Sequence, residues 1–369
     1  MTGRLVVAMT LAAAASAATQ NFETEARRFA TAYMAQNAAG VLEVRIDYTG
    51  STANGGYVVA AAVRRLPDDK TGDQLSLLID PQSHTVVAGL LTTLAQVTPP
   101  LAPDAVPRFV QSVLPQVLSE LFGSRTRVRW PAVPAKASGV VPLIAEISTG
   151  YGWARWPMAL SADARYVAVG GTWSLDRDPR EVRRGILDSP HIQWDPGNEG
   201  ATLKVIEFSD YQCPACKKAW GEVKPVFAQF GDKLRHGMVN FPLVRNHPWA
   251  FRAAVAGKCI ASLWPDGMIS FKEELYRLQD SLTLETVDDA VFGFLTQHSF
   301  DEKAFRACYL KDAAVDGVLA QLDLGQRLGV IGTPSYYVNG EQVAYGNKDE
   351  LVKRLQAILA AGGIPENAR

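Results

Sequence analysis

Two cysteines stand three positions apart in the stretch VIEFSDYQCPACKKAW, residues 205–220: Cys213 and Cys216. A C-x-x-C pair can be a redox couple, half of a metal site or a structural clip. The context separates these. An apolar run that reads as a strand ends just before the pair, and a helix-like pattern begins at it. Cys213 then sits at the first helical turn, where unpaired backbone N–H groups and the positive end of the helix dipole favour thiolate over thiol. Pro214 suits the first helical position, because its missing N–H would be unpaired there anyway. Cys216, one turn in, is more buried and within disulfide reach, so it can resolve a mixed disulfide formed on Cys213. A structural zinc site needs four ligands, and a second ligand pair should accompany the first. The five histidines, His84, His191, His236, His247 and His298, are scattered, so no metal is expected. A three-apart clip would have nothing to hold.

The stretch GVIGTPSYYVNG, residues 329–340, is the second source of chemistry. Gly332-Thr333-Pro334 precedes an apolar strand. A proline there removes a ladder donor and invites a cis bond in a tight turn, with an ordinary edge-strand proline as the alternative. Asn339-Gly340 is the strongest short-range hairpin signal in the chain.

Together these motifs resemble the DsbA-type branch of the thioredoxin superfamily, over about Ala201–Ala361. The resemblance implies a nucleophile at Cys213, a resolving cysteine at Cys216 and a cis-proline at Pro334 abutting the pair. It implies that the backbone of Thr333 pairs with a bound substrate chain, beside the exposed dipeptide Pro214-Ala215. Glu207, six residues before Cys213, matches an acid that lies beneath the active site in the family and helps move the proton of the buried cysteine. An outward-facing strand residue is the alternative for Glu207. Some members carry a second disulfide between helices of the insertion, which would here be Cys259–Cys308. A second electron-relay pair and two free buried thiols are the other readings. His247 reads as a helix-start residue and Lys217 and Lys218 as solvated lysines. Pro214-Ala215 is similar to the dipeptide of oxidising members. Thr333 before the proline is also similar to the isomerase-type DsbC and DsbG, which carry an N-terminal dimerisation domain.

Further elements must position these residues. Expected strands at Leu203–Phe208 and Leu234–Val244 flank an expected helix at Cys213–Phe230, which Pro225 should kink or restart. A mostly helical insertion fills about 247–324, with breaks near Trp264–Gly267 and Asp280–Thr283. A hairpin at Tyr336–Val338 and Glu341–Ala344 and a last amphipathic helix through Leu351, Leu355 and Leu359 follow. Upstream lies a cysteine-free region of α+β character. A helix at Phe22–Ala38 precedes strands at Val41–Tyr48, Tyr57–Val63, Leu75–Ile79 and Thr85–Leu90. A second helix at Arg108–Phe122 precedes strands near Val128, Val140–Ser148, Trp153–Leu160 and Tyr166–Gly170. The expected organisation is α/β: a leader over 1–18, α+β subdomains over 19–100 and 101–185, a linker over 186–200, and a thioredoxin fold with a helical insertion over 201–369.

Bulk properties narrow the partners. The 369 residues carry 37 basic and 38 acidic side chains, a net charge of −1, which gives no electrostatic reason to expect nucleic acid. Met1–Arg4, the apolar run Leu5–Ala15 and the small residues Ala15-Ser16-Ala17 read as a cleavable export signal. That run is shorter than the roughly 20 residues of a membrane span. Export implies the periplasm or another compartment where disulfides persist. The family chemistry needs no cofactor, because the two sulfurs hold the electrons. It implies cysteine-containing substrate proteins and a membrane or soluble redox partner that recycles the pair. Three functions stay open: an oxidase for folding proteins; an isomerase or reductase, homodimeric through the N-terminal region; and a non-catalytic chaperone or metal-binding module.

Overall fold

In the computed structural model, the residues described are 24–33, 43–51, 58–65, 71–94, 101–102, 104–116, 118, 127–132, 139–148, 153–244, 246–330, 332–343 and 348–361. The expected leader lies outside them. By contact density the chain forms two units: 1–107 with 134–142 and 158–182, and 108–133 with 143–157 and 183–369.

The N-terminal region begins with a helix over 24–33 (α1). Four strands follow: β1 (Glu43–Ser51), β2 (Val58–Arg65), β3 (Thr71–Asp80) and β4 (Thr85–Thr93). Next come α2 (Val106–Ser112) and four more strands, β5 (Val128–Arg129), β6 (Val140–Ser148), β7 (Trp153–Ser161) and β8 (Tyr166–Ser174). Helix plus antiparallel meander, twice, is thus the observed order. The two meanders share one sheet, in the order β1-β2-β3-β4-β8-β7-β6-β5. The join is the long β4–β8 ladder, from Thr85↔Ser174 to Thr93↔Tyr166. Two facing glycines permit it: a Cβ on Gly89 would stand 2.2 Å from the Val169 carbonyl oxygen, and one on Gly170 would stand 2.1 Å from that of Ala88. Ala26, Phe29, Ala30 and Tyr33 of α1 pack on Leu77, Ile79, Val86, Ala88 and Trp173. A short α3 (Pro179–Arg184) closes the region.

The second unit holds a five-stranded sheet in the order β13-β12-β10-β11-β9. At its centre β10 (Leu203–Ser209) runs parallel to β11 (Leu234–Asn240) and antiparallel to β12 (Ser335–Val338). Between β10 and β11 lies α4 (Pro214–Ala228). It runs unbroken through Pro225, held by Trp220, Val223, Val226 and Phe227 in the core. The expected restart at Pro225 does not occur. β11 stops at Asn240, short of the expected Val244. Pro242 has no N–H for a ladder, and the N–H of Leu243 donates to the Asp210 carboxylate at 2.8 Å. β9 (Gln193–Trp194), within the stretch expected as a linker, pairs with β11 through Gly237↔Trp194.

The insertion is α5 (Ala250–Leu263), α6 (Met268–Leu278), α7 (Val287–Gln297), α8 (Glu302–Tyr309) and α9 (Asp312–Arg327). It breaks at both expected places and again at 298–301, where Asp301 caps α8 by accepting from the N–H of Ala304 at 3.0 Å. β12 turns into β13 (Glu341–Gln342) through Asn339 and Gly340, both with positive φ, +50° and +79°. That is the conformation the Asn-Gly pair suits. α10 (Lys348–Ala360) packs Leu351 and Leu355 against the core of α4.

Cys259 on α5 and Cys308 on α8 form a disulfide that closes a loop of 49 residues. Loop-closure entropy for that length gives a stabilisation of about 4 kcal/mol. The double variant Cys259→Ala/Cys308→Ala should lower the denaturant midpoint of the second unit accordingly, while the Cys213–Cys216 pair still cycles. An unchanged midpoint would show that the bridge contributes nothing.

Candidate active site

Every expected site residue except the bridged pair converges at the start of α4. Cys213 is its N-cap and Pro214 its first helical residue. The approach loop is tied down on three sides. The Asp210 carboxylate accepts from the N–H of Gln212 at 2.7 Å and of Leu243 at 2.8 Å. The Gln212 side-chain oxygen accepts from the N–H groups of Trp249 and Ala250, at 2.8 and 3.1 Å, meeting the unpaired donors of α5. Gln279 Nε2 donates to the carbonyls of Tyr211 and Cys213, at 2.9 and 3.1 Å. Loop and helix start are therefore set by α5 and the residue after α6, so the insertion fixes where the sulfur stands.

Cys213 and Cys216 are both free thiols. Cys213 is 5% exposed and Cys216 fully buried, while Pro214 and Ala215 face solvent. The Thr333–Pro334 peptide is cis, and Cys213 Sγ donates to the Thr333 carbonyl at 3.5 Å. The two loops thus meet at one sulfur. A hydrogen bond from the Cys216 thiol lowers the pKa of Cys213 to about 6. Burial opposes the shift, and the backbone N–H of Cys216 adds to it. Burial, with the neighbouring Cys213 sulfur, pushes Cys216 well above an ordinary thiol. One of the two sulfurs is an anion near neutrality and the other holds its proton, as nucleophile and resolving thiol require.

Glu207 does not face outward. It shares the β10 face of Leu203 and Val205, which pack in one core with both cysteines, and it is 0% exposed. Lys272 Nζ of α6 donates to its Oε2 at 2.7 Å, and His236 Nε2 of β11 lies 3.3 Å from the same oxygen. Burial would raise this carboxyl. Lys272 and His236 outweigh it and hold the pKa at about 2. The lysine also stands 3.8 Å from the centre of the Trp220 ring.

Several of these groups carry no sequence signal. Asp210, Gln212 and Gln279 act through loop hydrogen bonds. Lys272 and His236 are a lone lysine and a lone histidine, in ISFKEEL and KLRHGMV, with no motif around them. His247 precedes α5 as expected but also lies 2.7 Å from Asp210 Oδ2 through Nδ1. Burial lowers its pKa and Asp210 and Cys213 raise it, with a net rise. Lys217 is paired with Asp280 at 2.8 Å.

A family model described as thioredoxin matches residues 193–359. The C-terminal half is a thioredoxin-family domain. The chain is 26% identical over 182 residues to disulfide bond formation protein D of Bacillus subtilis (strain 168), covering 47% of this chain and 81% of that protein. It is 32% identical over 158 residues to a protein named Na(+)/H(+) antiporter NhaA 1 of Mycobacterium sp. (strain KMS), covering 41% of this chain. The match spans about a quarter of that relative's length, 24%. Among solved structures, BdbD from Bacillus subtilis (oxidised) is similar at 22% identity and a TM-score of 0.40, over 45% of this chain and 92% of that one. The thiol-disulfide exchange protein alpha-DsbA2 from Wolbachia pipientis is similar at 18% identity and a TM-score of 0.40, over 48% and 96%.

The sign of the Cys213 shift sets a pH dependence. Below about pH 6 the sulfur is protonated and unreactive; above it the thiolate dominates. Ultraviolet thiolate absorbance of the reduced protein should rise with a midpoint near 6. The rate of attack on a small disulfide should follow the same curve and then level off. Cys213→Ser should lack that step. A first titration near 9 would contradict the site as described.

Proposed function

We propose that this chain is an exported protein thiol-disulfide oxidoreductase that donates the Cys213–Cys216 disulfide to cysteines of folding proteins. The observation that carries it is the split between the sulfurs: one thiolate at a helix start beside a cis-proline, one protonated thiol beneath it. A substrate thiolate attacks Cys213 Sγ. The Cys213–Cys216 bond breaks, and Cys216 leaves with the electron pair and takes up a proton. A second substrate thiolate then attacks the substrate sulfur, forming the substrate disulfide and releasing Cys213 as a thiolate. Two electrons have passed from substrate to protein, and a membrane or soluble redox partner must remove them. The backbone of Thr333 and the exposed Pro214-Ala215 edge form the docking surface for the substrate chain. The name of the Bacillus subtilis relative, disulfide bond formation protein D, supports this reading. The catalytic domain is proposed as 201–369 with its insertion, following a leader, two α+β segments and a linker bounded at 18, 100, 185 and 200.

A stabilised thiolate favours the reduced form and hence an oxidising couple. The alternative, a homodimeric isomerase or reductase assembled through the N-terminal region, uses the same sulfurs at a lower potential. Among the described residues no helix is long and apolar enough to cross a membrane.

Equilibration of the full chain with glutathione buffers, followed by the redox state of Cys213, separates the two. The oxidase reading expects a potential above about −150 mV. A value near that of thioredoxin, about −270 mV, would remove it in favour of a reductase.

A further inference from the structure

The proton that Cys216 gains or loses in each turnover has no direct route to solvent, because both Cys216 and Glu207 are 0% exposed. A chain of side chains leads outward from this point. Lys272 and His236 both engage Glu207 Oε2, and Oε1 is buried without a partner among the described residues. His236 pairs in register with Val205 and so lies on the same sheet face as Glu207. It is 3% exposed and stands 5.4 Å from the ring centres of both Trp220 and Phe227. Its other nitrogen, Nδ1, lies 3.0 Å from Asp195 Oδ2. Asp195 is held there by its own N–H, which donates to the His236 carbonyl at 2.9 Å. Its side chain is 24% exposed. Asp195 and His236 line a surface cavity of about 290 Å³ with Trp220, Lys224 and Arg235.

We infer that Glu207, His236 and Asp195 form a proton relay that connects the buried Cys216 sulfur to solvent at this cavity, on the face of the sheet beneath α4. The inference rests on the thiol-disulfide reading above. When Cys216 attacks a mixed disulfide on Cys213, its S–H proton passes to the Glu207 carboxylate. His236 takes up a proton at Nε2 and gives one up at Nδ1 to Asp195, which releases it to water. The Cys216 electron pair forms the Cys213–Cys216 bond, and the captured thiol leaves as a thiolate. In the opposite direction the same path delivers the proton to Cys216. Asp195 and His236 are positioning residues, acting on the sulfur through Glu207.

The charged and titratable groups around His236 suit the task. Glu207 comes from β10, Asp195 from the segment after β9, Lys272 and Glu273 from α6, Cys216 and Lys224 from α4, and Arg235 from β11. Burial acts against protonation of His236, and Asp195 and Glu207 override it, raising its pKa. Lys224 is engaged with Glu273, which also accepts from Trp220 Nε1 at 3.0 Å.

The test uses the reduced full chain and dithiobis(nitrobenzoate) in stopped flow. Attack by Cys213 releases one coloured thiolate, and resolution by Cys216 releases the second. The second phase relative to the first is the readout. His236→Gln and Asp195→Asn should each slow the second phase relative to the first by roughly tenfold or more at neutral pH, with the deficit closing as pH rises and hydroxide replaces the relay. Asp195→Asn sits at the surface and serves if His236→Gln does not fold. An unchanged ratio across pH in the folded variants would overturn the relay. A wild-type protein that releases only one equivalent would instead overturn the dithiol reading on which it rests.

Discussion

Two sulfurs share one ionisation, and the geometry decides which of them carries it. Cys213 at the first turn of α4 meets the Cys216 thiol and the Thr333 loop, whereas Cys216 is sealed in the core. The rest of the second unit can be understood as what holds that asymmetry. β10 delivers the chain to the helix start, β12 brings the cis-proline loop to the sulfur, and Gln279, just beyond α6, binds the carbonyls of the approach loop.

A second constraint lies beneath the first. Glu207 places a carboxylate in the centre of a sheet, where an unpaired charge would cost several kcal/mol. Lys272 and His236 offset that cost, and they come from two different elements, the insertion and the neighbouring strand. The helical insertion therefore does more than cover the sheet: it supplies the cation that lets the acid remain ionised near Cys216. The Cys259–Cys308 bridge ties two helices of the same insertion, α5 and α8.

Much of the site could be read from local pattern. C-P-A-C after an apolar run specifies a helix start with the first cysteine at its cap. Asn339-Gly340 specifies a hairpin. Thr333-Pro334 before a strand marks a backbone position with a special geometry. These signals are local, so a single chain shows them. The partners of Glu207 are not local. Lys272 is 65 residues away and His236 is 29, and neither lies in a repeating pattern. Nor could local pattern show that Pro225 would sit inside a continuous α4, because the packing of Trp220, Val223 and Phe227 outweighs the lost backbone bond. Pro242 and the grip of Asp210 on Leu243 ended β11 early for a tertiary reason. Upstream, alternation identified strands, but the edge-to-edge joining of two meanders through Gly89 and Gly170 depends on a close approach visible only in the fold.

The central claim is that Cys213 is the sulfur that meets substrate and Cys216 the sulfur that resolves. Covalent trapping tests it most directly. The full chain with Cys216→Ser, mixed with a peptide containing a disulfide and separated without reductant, should accumulate a mixed disulfide that mass spectrometry places on Cys213. The reciprocal Cys213→Ser chain, with Cys216 intact but buried, should trap almost nothing. Equal trapping by both variants, or none by either, would contradict the account.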